Sequence, residues 1–397
     1  MRRVRFYVLL LAGMVVPQVL AATHFLGWMA THGQRALGWS VPGLLLSLNV
    51  PLFIEAVRRK RRSLLPQGVT GLVLQVWTAW WLGSFLYALV LAVFAPIAGL
   101  VGLVRGAPLE LPLALAVLPF VLATYGALLG SSLLRREVVQ VPVRGLARTL
   151  RGLRIVQLSD LHSGRHISRR RLQRIAQRAA RLSPDVVVVT GDIVHNAPQF
   201  AQQAAEAIAS IPAHLGHFAC LGNHDFWAGA DRVEAALQKA GVQVLRNRGV
   251  LLGPKDGDKL WLCGVDDVWS DRFDLEAALR GRPANAPVVL LSHQPNTWPL
   301  AQKAGIELQL SGHTHGGQVA LLWLHRSLSL ARFITPFVAG LYRAGQSFLY
   351  VNRGAGSVVP MVRLGARPEV TELTLVDAGE NADAPDAIDD ALEVEPA

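Results

Sequence analysis

The chain has 397 residues, 51% hydrophobic and 17% charged, and is long enough for two domains that each bury a core. Its 39 basic and 28 acidic residues give a formal charge of +11; eight of the acids lie in Asp377–Ala397, so the remainder stands at +19. Much of that excess is arginine beside apolar segments, which suits membrane topology and anionic lipid rather than nucleic acid, and two cysteines, Cys220 and Cys263, provide neither a disulfide framework nor a CxxC metal motif.

Four apolar stretches reach the roughly 20 residues that a helix needs to cross a bilayer, at 6–27, 36–57, 70–95 and 109–134. Trp28, Trp39, Trp77, Trp80 and Trp81 fall in or near the ends of these spans, where interfacial aromatics gather. The first span has a second reading as a cleaved signal peptide, because Arg2, Arg3 and Arg5 precede an apolar run ending near Ala21 and Ala22. The uncleaved helix is favoured, since another span follows closely and Pro17 sits inside the run. Arginine placement sets the orientation. Arg2, Arg3, Arg5, the cluster Arg58–Arg62, Arg135 and Arg136 fall on one side, against Arg35 and Arg105 on the other. The positive-inside rule then puts both termini and the C-terminal domain in the cytoplasm, and an odd number of spans would reverse this. The expected organisation is a transmembrane helical domain at 1–136, a linker at 137–153, a soluble domain at 154–376 and an acidic tail at 377–397 that reads as disordered and solvating.

Within the soluble part, strands and helices alternate. Apolar runs predict strands at Arg154–Leu158, Asp185–Thr190, His217–Leu221, Leu260–Gly264, Pro287–Ser292, Leu308–Ser311, Phe348–Val351 and Val370–Val376. Between the first two, Leu172, Ile175, Ala179 and Leu182 recur at helical spacing. Five short blocks follow strand ends in order: Asp160-Leu-His162, Gly191-Asp192, Gly222-Asn223-His224-Asp225, Ser292-His293 and Gly312-His313-Thr314-His315. Ligands of open α/β sheets gather outside such strand ends. Together the blocks supply Asp, His, Asp, Asn and three further His, a donor set for two divalent cations sharing one carboxylate. Two cations about 3.5–4 Å apart would neutralise a phosphate ester and acidify a water, so the chain reads as a dinuclear metal hydrolase of phosphate esters. Carboxylate and imidazole donors suit Mn²⁺, Fe or Zn²⁺.

These blocks resemble the calcineurin-like metallophosphoesterase family, with its pattern D-x-H, G-D, G-N-H-D, H and G-H-x-H, over roughly residues 154–376. The resemblance implies an α/β fold, a four-layer β-sandwich of two mixed sheets with helices outside. It also implies that Asp160, His162 and His315 hold one metal and that Asn223, His293 and His313 hold the other, with Asp192 bridging. In that scheme His224 is not a ligand but faces the substrate, where it stabilises or protonates the leaving oxygen, and Asp225 orients it. His195 reads as a structural or substrate-edge residue, and His166 and His325 as surface or substrate-side residues.

Ser159–Gly164, Gly222–Trp227, Gly312–Gln318 and Tyr350–Gly356 are similar to the membrane-attached bacterial branch of that family. Some members resemble hydrolases of UDP-2,3-diacylglucosamine, which implies a phospholipid or lipid-linked nucleotide as substrate and an inner-membrane location with the catalytic domain on the cytoplasmic face. Leu321–Leu324 and Phe333–Val338, interrupted by Arg326, Arg332 and Arg343, read either as an apolar lip for acyl chains and phosphate or as a loop buried on the sandwich. Arg353 and Arg343 are candidate substrate contacts. A soluble nucleotide as substrate, with the helices as anchor, is one alternative. Another is a transport or sensory role, disfavoured because the spans hold almost no ionisable residue apart from Glu55. The sequence does not specify the oligomeric state.

Overall fold

The computed structural model describes residues 16–20, 22–23, 67–101, 110–144, 146–322 and 324–378. The chain divides into two compact units, one of Met1–Ser131 with Val359–Leu364, the other of Ser132–Val358 with Gly365–Ala397.

In the first unit, helix α1 spans Gln67–Val101 and helix α2 spans Glu110–Thr124, which continues as a π-helical turn over Tyr125–Gly130. Trp80 and Tyr87 of α1 pack on Phe120 of α2, at ring separations of 5.5 and 6.1 Å. Gln75 and Thr78 of α1 are hydrogen-bonded inside this apolar unit: Gln75 Nε2 donates to Ala127 O (3.1 Å), and Met361 N donates to Thr78 Oγ1 (3.2 Å). Leu72, Val76, Phe85 and Leu89 on α1, and Val117, Leu118 and Val121 on α2, stay exposed, an apolar surface suited to lipid.

Among the described residues one helix, over Thr70–Val90, is long and apolar enough to cross a membrane, and Val117–Gly130 is a shorter apolar helix. The expectation of four spans is therefore met by one helix here. The span at 109–134 falls on α2 and its π-helical continuation, Glu110–Gly130, and the spans at 6–27 and 36–57 lie outside the described residues except for 16–20 and 22–23.

The second unit is built on two six-stranded mixed sheets. The first has the order β1 (Arg135–Val143), β12 (Glu369–Asp377), β2 (Arg154–Leu158), β3 (Val186–Thr190), β4 (His217–Cys220), β5 (Val242–Val244). The second has the order β10 (Gly340–Ala344), β11 (Ser347–Val351), β9 (Leu308–Ser311), β8 (Val288–Leu291), β7 (Leu260–Gly264), β6 (Arg248–Leu252). Strands β2 to β5 run parallel, as do β7, β8, β9 and β11. Ile155, Val186, Val188 and Phe218 from one sheet and Leu262, Val289, Leu291, Leu308 and Leu310 from the other form one core between the sheets. On the outer face of the second sheet, Trp261, Cys263, Val288, Leu290 and Leu349 pack with Trp298 in a second core. Both faces of these strands are buried, which explains why their sequences are continuous apolar runs rather than alternating ones.

The helices on this unit are α3 (Arg169–Ala180), α4 (Ala201–Ala209), α5 (Asn223–Ala228), α6 (Ala230–Lys239), α7 (Leu275–Leu279) and α8 (Trp298–Lys303). Helix α3 buries Leu172, Ile175 and Ala179, as its spacing predicts, and Ser168 Oγ caps it by accepting from Arg171 N. Cys220 and Cys263 are free and buried, and burial raises both thiols, Cys263 to about 12, so both stay protonated and inert.

Residues 137–153, expected as a linker, contain most of β1, which pairs in parallel with β12, and a 3₁₀ turn at Arg148–Leu150. The strand is an edge with alternating exposure, and its polar and charged positions disguise it as linker. Arg136 of this strand pairs with Glu372 (2.8 Å). Of the acidic tail, Asp377 ends β12 and pairs with Arg151; residues 379–397 lie outside the described residues.

Candidate metal centre

Every block identified in the sequence leaves the carboxyl end of a parallel strand: β2, β3 and β4 in one sheet, β8 and β9 in the other. Beyond the strands the chain segments stay locked together, with Asp160 N bonded to Gly191 O (3.0 Å), His162 N to Asp192 O (2.9 Å) and Gly312 N to His293 O (3.0 Å). Asp160, His162, Asp192, His313 and His315 all hold φ between 46° and 70°, a left-handed conformation that costs a non-glycine residue energy. Such strain persists where the surroundings over-determine it, and here it turns five side chains toward one point. Two glycines permit the close approach. A Cβ on Gly222 would run into Asp192, and one on Gly312 into Ser159 and Asp160.

Two donor groups result, each with its ligand atoms within 4.8 Å of one another: Asp160, His162 and His315, and Asp192, His293 and His313. Asp192 lies between them, its Oδ2 being 3.3 Å from His293 Nε2 and 3.6 Å from His162 Nε2. Its other oxygen accepts from His224 N (2.9 Å). Asp160 Oδ2 accepts from Ser159 Oγ (2.6 Å) and His313 N (3.1 Å), while Oδ1 faces His315 Nε2 at 3.3 Å. The structure thus assembles Asp160, His162, Asp192, His293, His313 and His315, and Asn223, buried at the start of α5, directly precedes His224, whose backbone N–H donates to Asp192.

The donor set fits cations. Asp160 Oδ1, His162 Nδ1 and Asn223 Oδ1 are buried without a hydrogen-bond partner, which is costly unless something else satisfies them. Imidazole nitrogens also face each other, His162 Nε2 with His315 Nε2 at 3.0 Å and His293 Nε2 with His313 Nδ1 at 3.2 Å. His293 Nδ1 donates to Thr190 O (2.8 Å), which fixes the ring with Nε2 toward Asp192. Burial alone would depress His293, yet the Asp192 carboxylate raises it to about 10. Conversely, burial pushes Asp192 up, but His293 and His162 hold it well below the usual carboxylate range. Burial lifts Asp160 to about 6 and lowers His313 to about 3. Divalent charge bound here would balance the two buried carboxylates, which otherwise face the imidazoles of His293 and His315. Saturating Mn²⁺ is expected to stabilise the fold by about 2.7 kcal/mol at a hundredfold excess over Kd. A rise in thermal midpoint that a chelator reverses would show it.

His224 lies outside both groups. Its Nδ1 lies against His195 O and, at 3.3 Å, Asn196 Oδ1, and its ring stacks on that of His195 at 5.0 Å. His162, His195 and His224 also come together as a third set. His195 contacts His166 (4.7 Å), whose Nε2 donates to Ser357 O (3.0 Å) and which burial lowers to about 4, so His166 is a neutral, structural residue. His325 is exposed and bonded to Ser327.

Three expected roles are corrected. Asp225 does not orient His224: its carboxylate accepts from the backbone N–H groups of Gly222 (2.9 Å), Ile193 (3.2 Å) and Val194 (2.9 Å), stapling the second block to the third. Burial and the nearby Asp192 charge raise it to about 7. Asp225→Ala leaves three buried donors unsatisfied and is expected to cost about 3 kcal/mol in denaturant unfolding. Arg353 is not free for substrate, because Glu369 and Glu137 both pair with its guanidinium. Arg343 sits at the wrong end of the sheet. It pairs in register with Phe348 at the start of β11, which neighbours the start of β9, whereas the metal blocks follow the strand ends.

Sequence reasoning overlooked Trp227 and Trp269 as site residues. Trp227 contacts His224 (4.6 Å), Trp269 contacts His313 (5.2 Å), and the two indoles stack at 6.4 Å. Trp227 follows His224 by three residues, one helical turn, which was the available signal; nothing local announced Trp269.

The segment after His315 is part buried and part exposed. Ser329 Oγ donates to Gly316 O (3.0 Å) and Thr314 Oγ1 to Val338 O (2.7 Å), which ties it to the metal block. Ala331, Val338 and Ala339 turn inward, while Phe333 is 89% exposed and Ile334 66%, beside the exposed Arg332.

The model for the calcineurin-like phosphoesterase family matches residues 153–317. The chain is 34% identical over 275 residues to a transmembrane protein with metallophosphoesterase domain of Danio rerio, covering 66% of this chain and 62% of that relative. It is 32% identical over 232 residues to the uncharacterized metallophosphoesterase YkuE of Bacillus subtilis, covering 56% of this chain and 79% of that relative. It is 27% identical over 281 residues to the UDP-2,3-diacylglucosamine pyrophosphatase LpxG of Chlamydia trachomatis, covering 56% of this chain and 83% of that relative.

Proposed function

Because the chain belongs to the calcineurin-like metallophosphoesterases, we propose that it is a membrane-tethered phosphoesterase that uses two divalent cations to hydrolyse a phosphodiester or pyrophosphate bond in a lipid-linked substrate. The observation that carries this reading is the pair of buried donor groups sharing Asp192. We assign Asp160, His162 and His315 to one cation and Asn223, His293 and His313 to the other, as Mn²⁺, Fe or Zn²⁺. Bound there, the cations would screen the phosphate oxygens and acidify an attacking water.

The chain's own residues do the rest. Asp192 accepts the His224 backbone N–H, which places His224 beside the metal pair. The His195 carbonyl accepts a hydrogen bond from His224 Nδ1–H and turns Nε2 toward the leaving oxygen, to which the ring in its doubly protonated form gives the Nε2 proton as general acid. Ser159 and the His313 backbone N–H hold one Asp160 oxygen so that the other serves a cation.

The lipid assignment rests on the exposed Phe333 and Ile334 beside Arg332, on a lip anchored to the metal block, and on the named activity of the Chlamydia relative. Apolar tips beside a cationic group match acyl chains next to a phosphate. The domain organisation we propose keeps the apolar N-terminal third as a multi-pass anchor in the inner membrane, with the catalytic unit on the cytoplasmic face from the arginine asymmetry and residues past 378 as a solvating tail.

The test uses the detergent-purified full chain with Mn²⁺, offered UDP-2,3-diacylglucosamine and bis(p-nitrophenyl) phosphate in parallel. Release of UMP from the lipid supports the whole reading. Cleavage of the artificial diester alone keeps the metal site and removes the lipid, and inactivity on both overturns the proposal.

A further inference from the structure

Exposed tryptophan is unusual, because indole gains more than most side chains from burial. Trp227 is 61% exposed and Trp269 56%, although both sit against the metal-site histidines. They arise from different sheets: Trp227 is on α5, after β4, and Trp269 lies in the turn after β7. Each is held in place. Trp269 N donates to Asp267 Oδ1 (2.9 Å), and the same buried carboxylate accepts from Gln294 Nε2 (3.1 Å), next to His293. Trp227 packs on the His224 ring at 4.6 Å. The indole planes lie within 13° of parallel. Stacked on each other at 6.4 Å, they form an exposed aromatic pair that links His224, beside one donor group, to His313 in the other.

We propose that Trp227 and Trp269 form a subsite that stacks a nucleobase, so that the substrate is a nucleotide derivative whose phosphate reaches the metal pair. This deepens the phosphoesterase reading and rests on it. A flat π-face accepts any base, and each stacked base is worth about 1–3 kcal/mol by alanine substitution. The ring contacts with His224 and His313 favour a substrate group over a bilayer, because whatever lies on the indoles is within one ring of the reacting centre. The apolar lip at Phe333 is anchored to a different segment, and would leave the indoles to the polar, ring-bearing end of the same molecule.

The experiment is isothermal titration of the Mn²⁺-loaded full chain in detergent with UMP, AMP and ribose 5-phosphate, which share a phosphate and differ in the base. The wild-type protein is expected to bind both nucleotides at least about tenfold more tightly than ribose 5-phosphate. In the Trp227→Ala/Trp269→Ala variant that ratio collapses toward one, and Trp227→Phe/Trp269→Phe restores most of it. A purely structural role would weaken all three ligands together and leave the ratio unchanged, which overturns the proposal. So does equal wild-type binding of the three ligands, or a double variant that loses only affinity for anionic vesicles. Because binding is read without turnover, a base-dependent ratio in a protein inactive on every ester would uphold the subsite and sink the phosphoesterase reading instead.

Discussion

Asp192→Ala is expected to abolish ester hydrolysis, lowering kcat/KM by about 10³-fold or more, and to strip metal from the protein. Asp192 Oδ2 stands between His293 and His162, one from each donor group, so its loss removes the shared anion from both sites at once. Substituting a residue that only supports a ligand costs about 10–100-fold in metal affinity or activity, and a bridging ligand should cost more. Asp192 also accepts the His224 backbone N–H, so the third block loses an anchor as well. Metal content by elemental analysis and kcat/KM on bis(p-nitrophenyl) phosphate check this together. A variant that keeps both metals and its activity would remove Asp192 from the centre.

The second large effect belongs to His224→Ala. Removing a general acid typically costs about 10²–10⁴-fold in rate, and the loss should appear in kcat while metal content stays near that of the wild type. The ring is held through Nδ1 by the His195 carbonyl and Asn196, and stacks on His195 rather than pairing with a carboxylate. Because His224 also stands with His162 and His195 as a possible donor set, metal content decides its role. Loss of one equivalent of metal would make it a ligand. An esters series gives a further check, since a proton donor matters most for poor leaving groups and least for nitrophenolate.

The clustering of the candidate donors was legible because each block is local and its position follows from a strand end. A run such as Val186–Thr190 is apolar enough to be buried on both faces, and the polar residues that end it must then project from the sheet edge. The missed strands failed for the same kind of reason. Strand β1 is an edge with half its side chains in solvent, and β5 has three residues, too few for a periodicity to show. In the apolar N-terminal part, apolar length predicted helices at 70–95 and 109–134, where α1 and α2 lie, but not the π-helical turn that ends α2.

By itself, the sequence picked out the candidate donors, their order and the strands they follow. Those are properties of short segments, fixed by side-chain identity and by the point where each continuous apolar run ends. Only the tertiary structure decided which side chains were already committed. Arg353 is neutralised by Glu137 and Glu369, and Asp225 is consumed by three backbone donors on two separate loops. Arg343 was removed from the site by strand register, and Trp269 was brought to it by the pairing of two sheets. A side chain's charge and shape are written locally, but whether it is free to act depends on its partners, and most of those come from residues far away in the chain.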